Sequence, residues 1–214
     1  VEATTCIARW SGAAGVPLVF TSTDLVFDGE HAPYGEDDNA VPVSVYGRHK
    51  LAAEDAVLRF AQKGVACRLP LMFGDRDGMP ASFIGPWIQA LQQDEPVSLF
   101  EDEIRTPVSG AVAARGLLLA LEKGVQGVLH LGGCERVSRY AFGLLLAEAF
   151  GLSPVSIRKI RLADITMAAP RARDVSLDSS AAFSLGYDPG SLEVQLAAVR
   201  ESMQGRCNRE ASAR

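Results

Sequence analysis

Histidine and cysteine are scarce in this chain, three of the one and four of the other in 214 residues. Cys6, Cys67, Cys134 and Cys207 stand far apart, with no Cys-x-x-Cys pair, which argues against a zinc module and a disulfide framework. His31, His49 and His130 fit no metal-ligand spacing, and His130, inside an apolar run, is expected to be a packed core residue. Reduced, buried thiols in a cytoplasmic protein are the expectation. Long apolar runs are missing too: "GLLLAL" falls far short of the roughly 20 residues that span a bilayer. Basic residues are not in excess, 21 Lys and Arg against 26 Asp and Glu for a net charge of −5, and the two signs are interspersed. No nucleic acid and no membrane surface is expected as a partner. No secretory signal is expected, and no internal repeat is visible.

What is present is an ordinary globular composition, 48% apolar and 22% charged, long enough for one large domain or one domain with a small companion. Residues 2–14 carry helix formers and stop at Gly15, a natural C-cap. "VPLVFTST" follows as an apolar run without alternation, the pattern of a strand buried on both faces of a parallel sheet. "DLVFDGEHAPYGEDDNAVPVS" is rich in Gly, Pro, Asp and Asn and reads as a long functional loop, with Glu36, Asp37 and Asp38 in solvent. Ser44 can N-cap the helix "VYGRHKLAAEDAVLRFAQK", whose apolar Leu51, Val57, Leu58 and Phe60 should form its buried face. "VACRLPLMFG" is a second buried strand, completing a right-handed βαβ unit.

Beyond Asp75 the texture changes. "ASFIGPWIQALQQ" reads as a helix interrupted near Pro86, "PVSLF" and "RTPV" as short edge strands, and "SGAVAARGLLLALEKG" as a helix closed by Gly124. A strand "GVLHLGG", a helix "SRYAFGLLLAEAFG", a strand "VSIRKI" and a last helix "SLEVQLAAVRESMQ" follow, then a polar tail expected to fray. Trp10 and Trp87 are expected to pack. The alternation argues for an α/β class with a smaller α+β portion toward the C-terminus.

Tyr46 and Lys50 stand at i and i+4, one turn apart on the same helix face. A free tyrosine, with a pKa near 10, transfers protons poorly at neutral pH; a fixed ammonium favours the phenolate and lowers that value. "TSTD", Thr21 to Asp24, ends the preceding strand, and doubly wound sheets bind ligands at the carboxyl ends of their strands. A hydroxyl from Ser22 or Thr23 could donate there to a substrate carbonyl. Asp24 is open to two roles, a turn or capping aspartate and a substrate contact.

Taken together, "FTSTDLVFDG", "PYGEDD", "VYGRHKLAAE" and "RLPLMFG" resemble the extended short-chain dehydrogenase/reductases, and within them the dTDP-4-dehydrorhamnose reductase-like branch. "DEIRTPV" and "APRARDVSLDSSAAFSLGY" resemble the substrate-side elements of that branch, so the resemblance runs from Val1 to about Gln204. It implies part of an NAD(P)-binding, Rossmann-type doubly wound parallel sheet in residues 1–75, a small α+β substrate-binding portion with elements returning to the sheet in 76–205, a frayed tail at 206–214, and an NADP(H)- or NAD(H)-dependent reductase of a 4-keto nucleotide sugar. Thr23, Tyr46 and Lys50 would form the catalytic triad, and Thr21, Tyr46 and Lys50 would face the cofactor. Thr23, Asp24, Leu71 and Arg105 would face the substrate, with Arg105 either on its pyrophosphate or at the surface beside Glu101 or Asp102. The nucleotide sugar is the implied ligand, and a homodimer is left open.

The sequence departs from the branch in three places. Its glycine-rich phosphate loop is not found, and Val1 to Gly15 resembles the helix before the strand that carries the triad hydroxyl, so an N-terminal part of the sheet is expected to be missing. Leu71 stands where rhamnose-forming reductases carry an aromatic residue, and "SGAVAARG" stands where relatives carry an acidic pair. A nucleotide-sugar epimerase or dehydratase shares these motifs. So does a non-catalytic protein such as the regulatory subunit of methionine adenosyltransferase.

Overall fold

The computed structural model describes residues 1–74, 82–166 and 170–212, the stretch 206–212 as backbone. Helix α1 (Glu2–Ala14) ends at Gly15, which takes the left-handed conformation with φ 65°, and strand β1 (Leu18–Thr23) follows. Then come α2 (Val45–Phe60), β2 (Gly64–Leu69), β3 (Met72–Phe73), α3 (Ile84–Gln92), β4 (Val97–Phe100), β5 (Ile104–Arg105) and β6 (Val108–Ser109). The chain continues through α4 (Gly110–Glu122), β7 (Gly127–His130), β8 (Val137–Ser138), α5 (Arg139–Phe150), β9 (Ile157–Ile160), α6 (Ser180–Ser184) and α7 (Leu192–Ser212). The boundary expected at 75/76 lies outside the described residues. The helical backbone continues to Ser212, where the composition pointed to a frayed tail.

The central sheet is parallel, in the order β1-β2-β7, with Thr23 beside Leu69 and Arg68 beside His130. Every residue of β2 is buried because strands flank it on both sides and helices cover both faces. Val65, Cys67 and Leu69 face α4 in one cluster with Val112, Ala113 and Leu131. Alternation turns Arg68 toward the other face, where α2 packs on β1 and α1 packs on α2 through Ala8, Val57 and Ala61. β1 is not buried on both faces as expected. It pairs with β2 alone among the described residues, and Leu18 to Phe20 stay half-buried.

The remaining elements form a second layer. β4 and β9 pair in parallel and pack on α3 and α5 through Leu91, Leu99, Ala147 and Ile157. Phe73, Ile84, Phe142, Leu146, Leu192 and Leu196 join α3, α5 and α7. Pro86 does not interrupt α3. It sits in the first turn, where a helix has no use for the missing N–H. Pro70 splits "VACRLPLMFG" into β2 and β3, and β3 leaves the central sheet to pair with β6. Serine caps recur: Ser44, Ser109 and Ser138 each accept a backbone N–H at the start of α2, α4 and α5. Each such cap stabilises by about 1 kcal/mol.

Several side chains lie elsewhere than the sequence suggested. Leu58 is 42% exposed, and α2 buries Gly47, Ala53, Glu54, Ala56 and Val57 instead. Trp10 is 63% exposed on α1, whereas Trp87 packs against Phe83. Cys6 and Cys134 are exposed; Cys67 is buried, and burial pushes its thiol up to about 12. Glu36 is not a solvated loop residue, since its carboxylate accepts the His130 backbone N–H at 2.9 Å. No helix among the described residues is long and apolar enough to cross a membrane.

Candidate active site

The carboxyl end of β1 meets the first turn of α2. After Thr23 the chain turns through a single 3-10 turn, Asp24–Val26, in which the Thr23 hydroxyl accepts Leu25 N–H and donates to Asp24 Oδ1, both at 3.2 Å. Further along the loop, the Tyr34 hydroxyl gathers the N–H groups of Gly29, Glu30 and His31 at 2.9–3.0 Å and donates to Asp28. Its ring stacks on Phe27 at 4.1 Å. Thus the long segment before α2 is tied down locally. Ser44 then caps α2 by accepting Gly47 N–H at 3.0 Å.

Gly47 decides how closely α2 approaches β1. A Cβ there would lie 2.1 Å from the Leu25 carbonyl oxygen and 2.8 Å from Pro42 Cβ. Only a residue without a side chain lets the helix start on this turn. That seating places Tyr46 beside Thr23 and Asp24 in the wall of one cavity. One turn on, Lys50 Nζ donates to the Thr21 carbonyl at 2.7 Å and lies 4.9 Å from the Phe20 ring centre and 5.9 Å from that of Tyr46. Thr21, Thr23, Asp24, Tyr46 and Lys50, scattered in two stretches of sequence, converge here.

Burial, with the Asp24 carboxylate adding to it, pushes the Tyr46 phenol above its ordinary range, and the Thr23 hydroxyl pulls the other way. This direction is opposite to the lowering expected from Lys50. The ammonium is turned onto the Thr21 carbonyl, and partial burial itself lowers the lysine against the opposing pull of Glu54. Asp24 is buried, which raises its carboxyl to about 6 although Arg105 and the Thr23 hydrogen bond oppose the change.

A cavity of about 570 Å³ opens beside this cluster. Thr23, Asp24 and Tyr46 line one part of it, Leu71 and Met72 give an aliphatic wall, and Glu103, Arg105, Arg139 and Arg171 give a charged one. Arg105 is not at the surface beside Glu101 or Asp102. It is buried, with its guanidinium donating to the carbonyls of Ile104, Ala172 and Arg173 and to Glu103, and with Nε 3.6 Å from Asp24. Its donors are engaged by the protein, which leaves little for a pyrophosphate.

Behind α2 lies a buried network that the sequence reading missed. Glu54 accepts from Ser22 and pairs with Arg68 at 2.9 Å. Arg68 Nη1 meets His130 Nε2 at 3.3 Å, and His130 Nδ1 lies 3.1 Å from the carbonyls of Tyr34 and Asp178. His130 is the expected core residue, fully buried, with its imidazole pKa lowered by burial. Two signals could have revealed the network: an arginine inside the buried run "VACRL", and a glutamate one turn beyond Lys50. Glu103, Arg139 and Arg171 also escaped the sequence reading, because nothing local distinguishes them from surface charges.

A Rossmann-like parallel sheet with a hydroxyl, a tyrosine and a lysine at its carboxyl edge defines the fold of the short-chain dehydrogenase/reductases. The chain belongs to the RmlD substrate binding domain family, whose description matches residues 1–204. It is 33% identical over 189 residues to a "probable low-salt glycan biosynthesis reductase" of Haloferax volcanii, 86% of this chain and 63% of that protein. It is 29% identical over 192 residues to methionine adenosyltransferase 2 subunit beta of Pongo abelii, 87% of this chain and 57% of that one. The fold matches that of a dTDP-4-dehydrorhamnose reductase of Bacillus anthracis solved with NADP, at a TM-score of 0.84 and 22% identity, over 92% of this chain and 69% of that one. The chain therefore spans about three-fifths of the length of the curated relatives it matches.

Proposed function

We propose that the protein carrying this chain is an NADP(H)- or NAD(H)-dependent reductase of a keto group on a nucleotide sugar, with a 4-keto sugar the substrate class. The observation that carries this reading is that Thr23 and Tyr46 share the wall of a cavity large enough for a sugar, with Lys50 one helical turn beyond Tyr46 on the Thr21 carbonyl. The donor chemistry suits a dinucleotide. The one hydrogen bond described for Lys50 Nζ leaves two N–H groups to hold ribose hydroxyls, and Thr21 is exposed beside it. A bound reduced nicotinamide would supply the hydride to the carbonyl carbon.

The chain's own residues handle the proton. Tyr46, a phenol that is protonated at neutral pH, donates to the carbonyl oxygen. Thr23 orients that oxygen once its hydroxyl turns from Asp24, and Lys50, anchored on the Thr21 carbonyl, holds the ribose. Asp24 and Leu71 contact the sugar, Leu71 with an aliphatic face where an aromatic ring would have stacked. An epimerase or dehydratase would use the same three residues for the same proton.

The decisive experiment is turnover of a 4-keto nucleotide sugar with NADPH or NADH, with and without Tyr46→Phe. Loss of about a hundredfold or more in kcat, with cofactor fluorescence titration unchanged, is the expected result. Turnover that survives the substitution excludes Tyr46 as the donor. The 29% identity to the adenosyltransferase subunit favours a second reading, a non-catalytic regulatory protein. For that reading the same assay gives no turnover in the unsubstituted protein.

A further inference from the structure

Two successive residues of β1 are gripped from two successive turns of α2. The Thr21 carbonyl accepts Lys50 Nζ at 2.7 Å, and the Ser22 hydroxyl donates to Glu54 Oε1. Lys50 and Glu54 stand at i and i+4, one turn apart on the face of α2 that also carries Tyr46. Thr23, the next residue of β1, lines the cavity with Tyr46. A slip of α2 along β1 would break both grips and part Tyr46 from Thr23.

The Glu54 grip is rigid. Glu54 is 1% exposed, and Arg68 of β2 meets its carboxylate at two points, Nη2 to Oε2 at 2.9 Å and Nε to Oε1 at 3.1 Å, which fixes the carboxylate plane. The guanidinium is held in turn, 5.0 Å from the Phe27 ring centre and with Nη1 3.3 Å from His130 Nε2. A well-packed apolar pair of similar volume would join α2 to β2 at least as well. What Glu54 adds is a fixed negative charge one turn beyond a half-buried ammonium. Burial lowers the lysine, and the Glu54 carboxylate opposes that change. Around Lys50, α2 brings Glu54 and Tyr46, and β1 brings the Thr21 carbonyl and the Phe20 ring. Arg68 of β2 is joined to Glu54, and His130 of β7 to Arg68.

We infer that Glu54 is a positioning residue for Lys50: fixed by Ser22 and Arg68, its carboxylate holds α2 in register on β1 and supplies the counter-charge that keeps the ammonium on the Thr21 carbonyl. It rests on the dinucleotide reading only for what Lys50 holds; the positioning itself belongs to the chain.

The test follows the ε-carbon NMR signal of Lys50, identified by its loss in Lys50→Met, through an alkaline titration of the protein carrying this chain. Nicotinamide fluorescence reads NADPH and NADH affinity at each pH. In Glu54→Gln, Lys50 is expected to lose its proton at a pH lower by about 0.5–1, and the alkaline loss of cofactor affinity should move down with it. Should Glu54→Gln fail to fold because Arg68 is stranded, Glu54→Leu with Arg68→Met strands neither charge and is expected to shift Lys50 in the same direction. A merely structural pair would lower the urea midpoint and leave both titrations in place, and that result overturns the inference. A shifted Lys50 signal with no shift in the cofactor titration upholds the positioning of Lys50 and overturns its role in holding the cofactor.

Discussion

Asp24 and Arg105 are both buried, and their closest approach, Oδ2 to Nε, is 3.6 Å, a charge contact without a hydrogen bond. The arginine therefore offsets only part of the desolvation of the carboxylate, and the carboxyl rises to about 6.

A pH dependence follows. The folded carboxyl binds its proton more tightly than the unfolded one, so it contributes most at low pH. That contribution is lost as pH rises from the ordinary carboxyl value of 3.8 through about 6. At about 1.4 kcal/mol per pH unit this amounts to about 3 kcal/mol. The stability of the unsubstituted protein minus that of Asp24→Asn is expected to fall by about that much between pH 4 and pH 7, measured by urea denaturation. A difference that stays flat over this range would show that Asp24 titrates as an ordinary carboxylate.

Gly47→Ala should destabilise by roughly 1–3 kcal/mol, since the added methyl would meet the Leu25 carbonyl at 2.1 Å and must push α2 off the turn. On helix propensity alone the change would be favourable by about 1 kcal/mol, so the sign of the shift in urea midpoint decides.

The Glu54–Arg68 pair is buried on both sides, Glu54 at 2% and Arg68 at 5% side-chain exposure. Glu54→Leu alone strands the arginine charge and is expected to cost about 3–5 kcal/mol; adding Arg68→Met should recover a large part of it. A double-mutant cycle with no coupling would mean that the pair is not what holds α2 to β2.

Lys50→Met removes the ammonium that rests on the Thr21 carbonyl. Cofactor affinity, read by nicotinamide fluorescence, is expected to drop roughly tenfold or more while the unfolding temperature changes little. Unchanged affinity would remove Lys50 from the cofactor site.

Much of the fold was legible locally. Gly15 and Ser44 cap where they were expected, and "VPLVFTST", the helix after Ser44 and "VACRL" became adjacent parallel strands and their crossover. The errors share a cause. Hydropathy points Leu58 to the core and passes over Glu54, because it does not reveal that Ser22 and Arg68 lie across from Glu54. Sequence offers Arg105 only its neighbours Glu101 and Asp102 as surface partners, whereas the actual partners include Asp24 and the carbonyls of Ala172 and Arg173.

The sequence by itself determined the βαβ unit, its caps and the i, i+4 pairing of Tyr46 with Lys50, since each depends on residues within a turn or two. Only the tertiary structure decided the electrostatics of the site. Burial and contacts between distant segments raise Tyr46 and Asp24, turn Lys50 onto Thr21, engage Arg105 and leave Arg139 Nη1 without an acceptor. Desolvation depends on everything packed around a group, which no spacing of residues along the chain encodes.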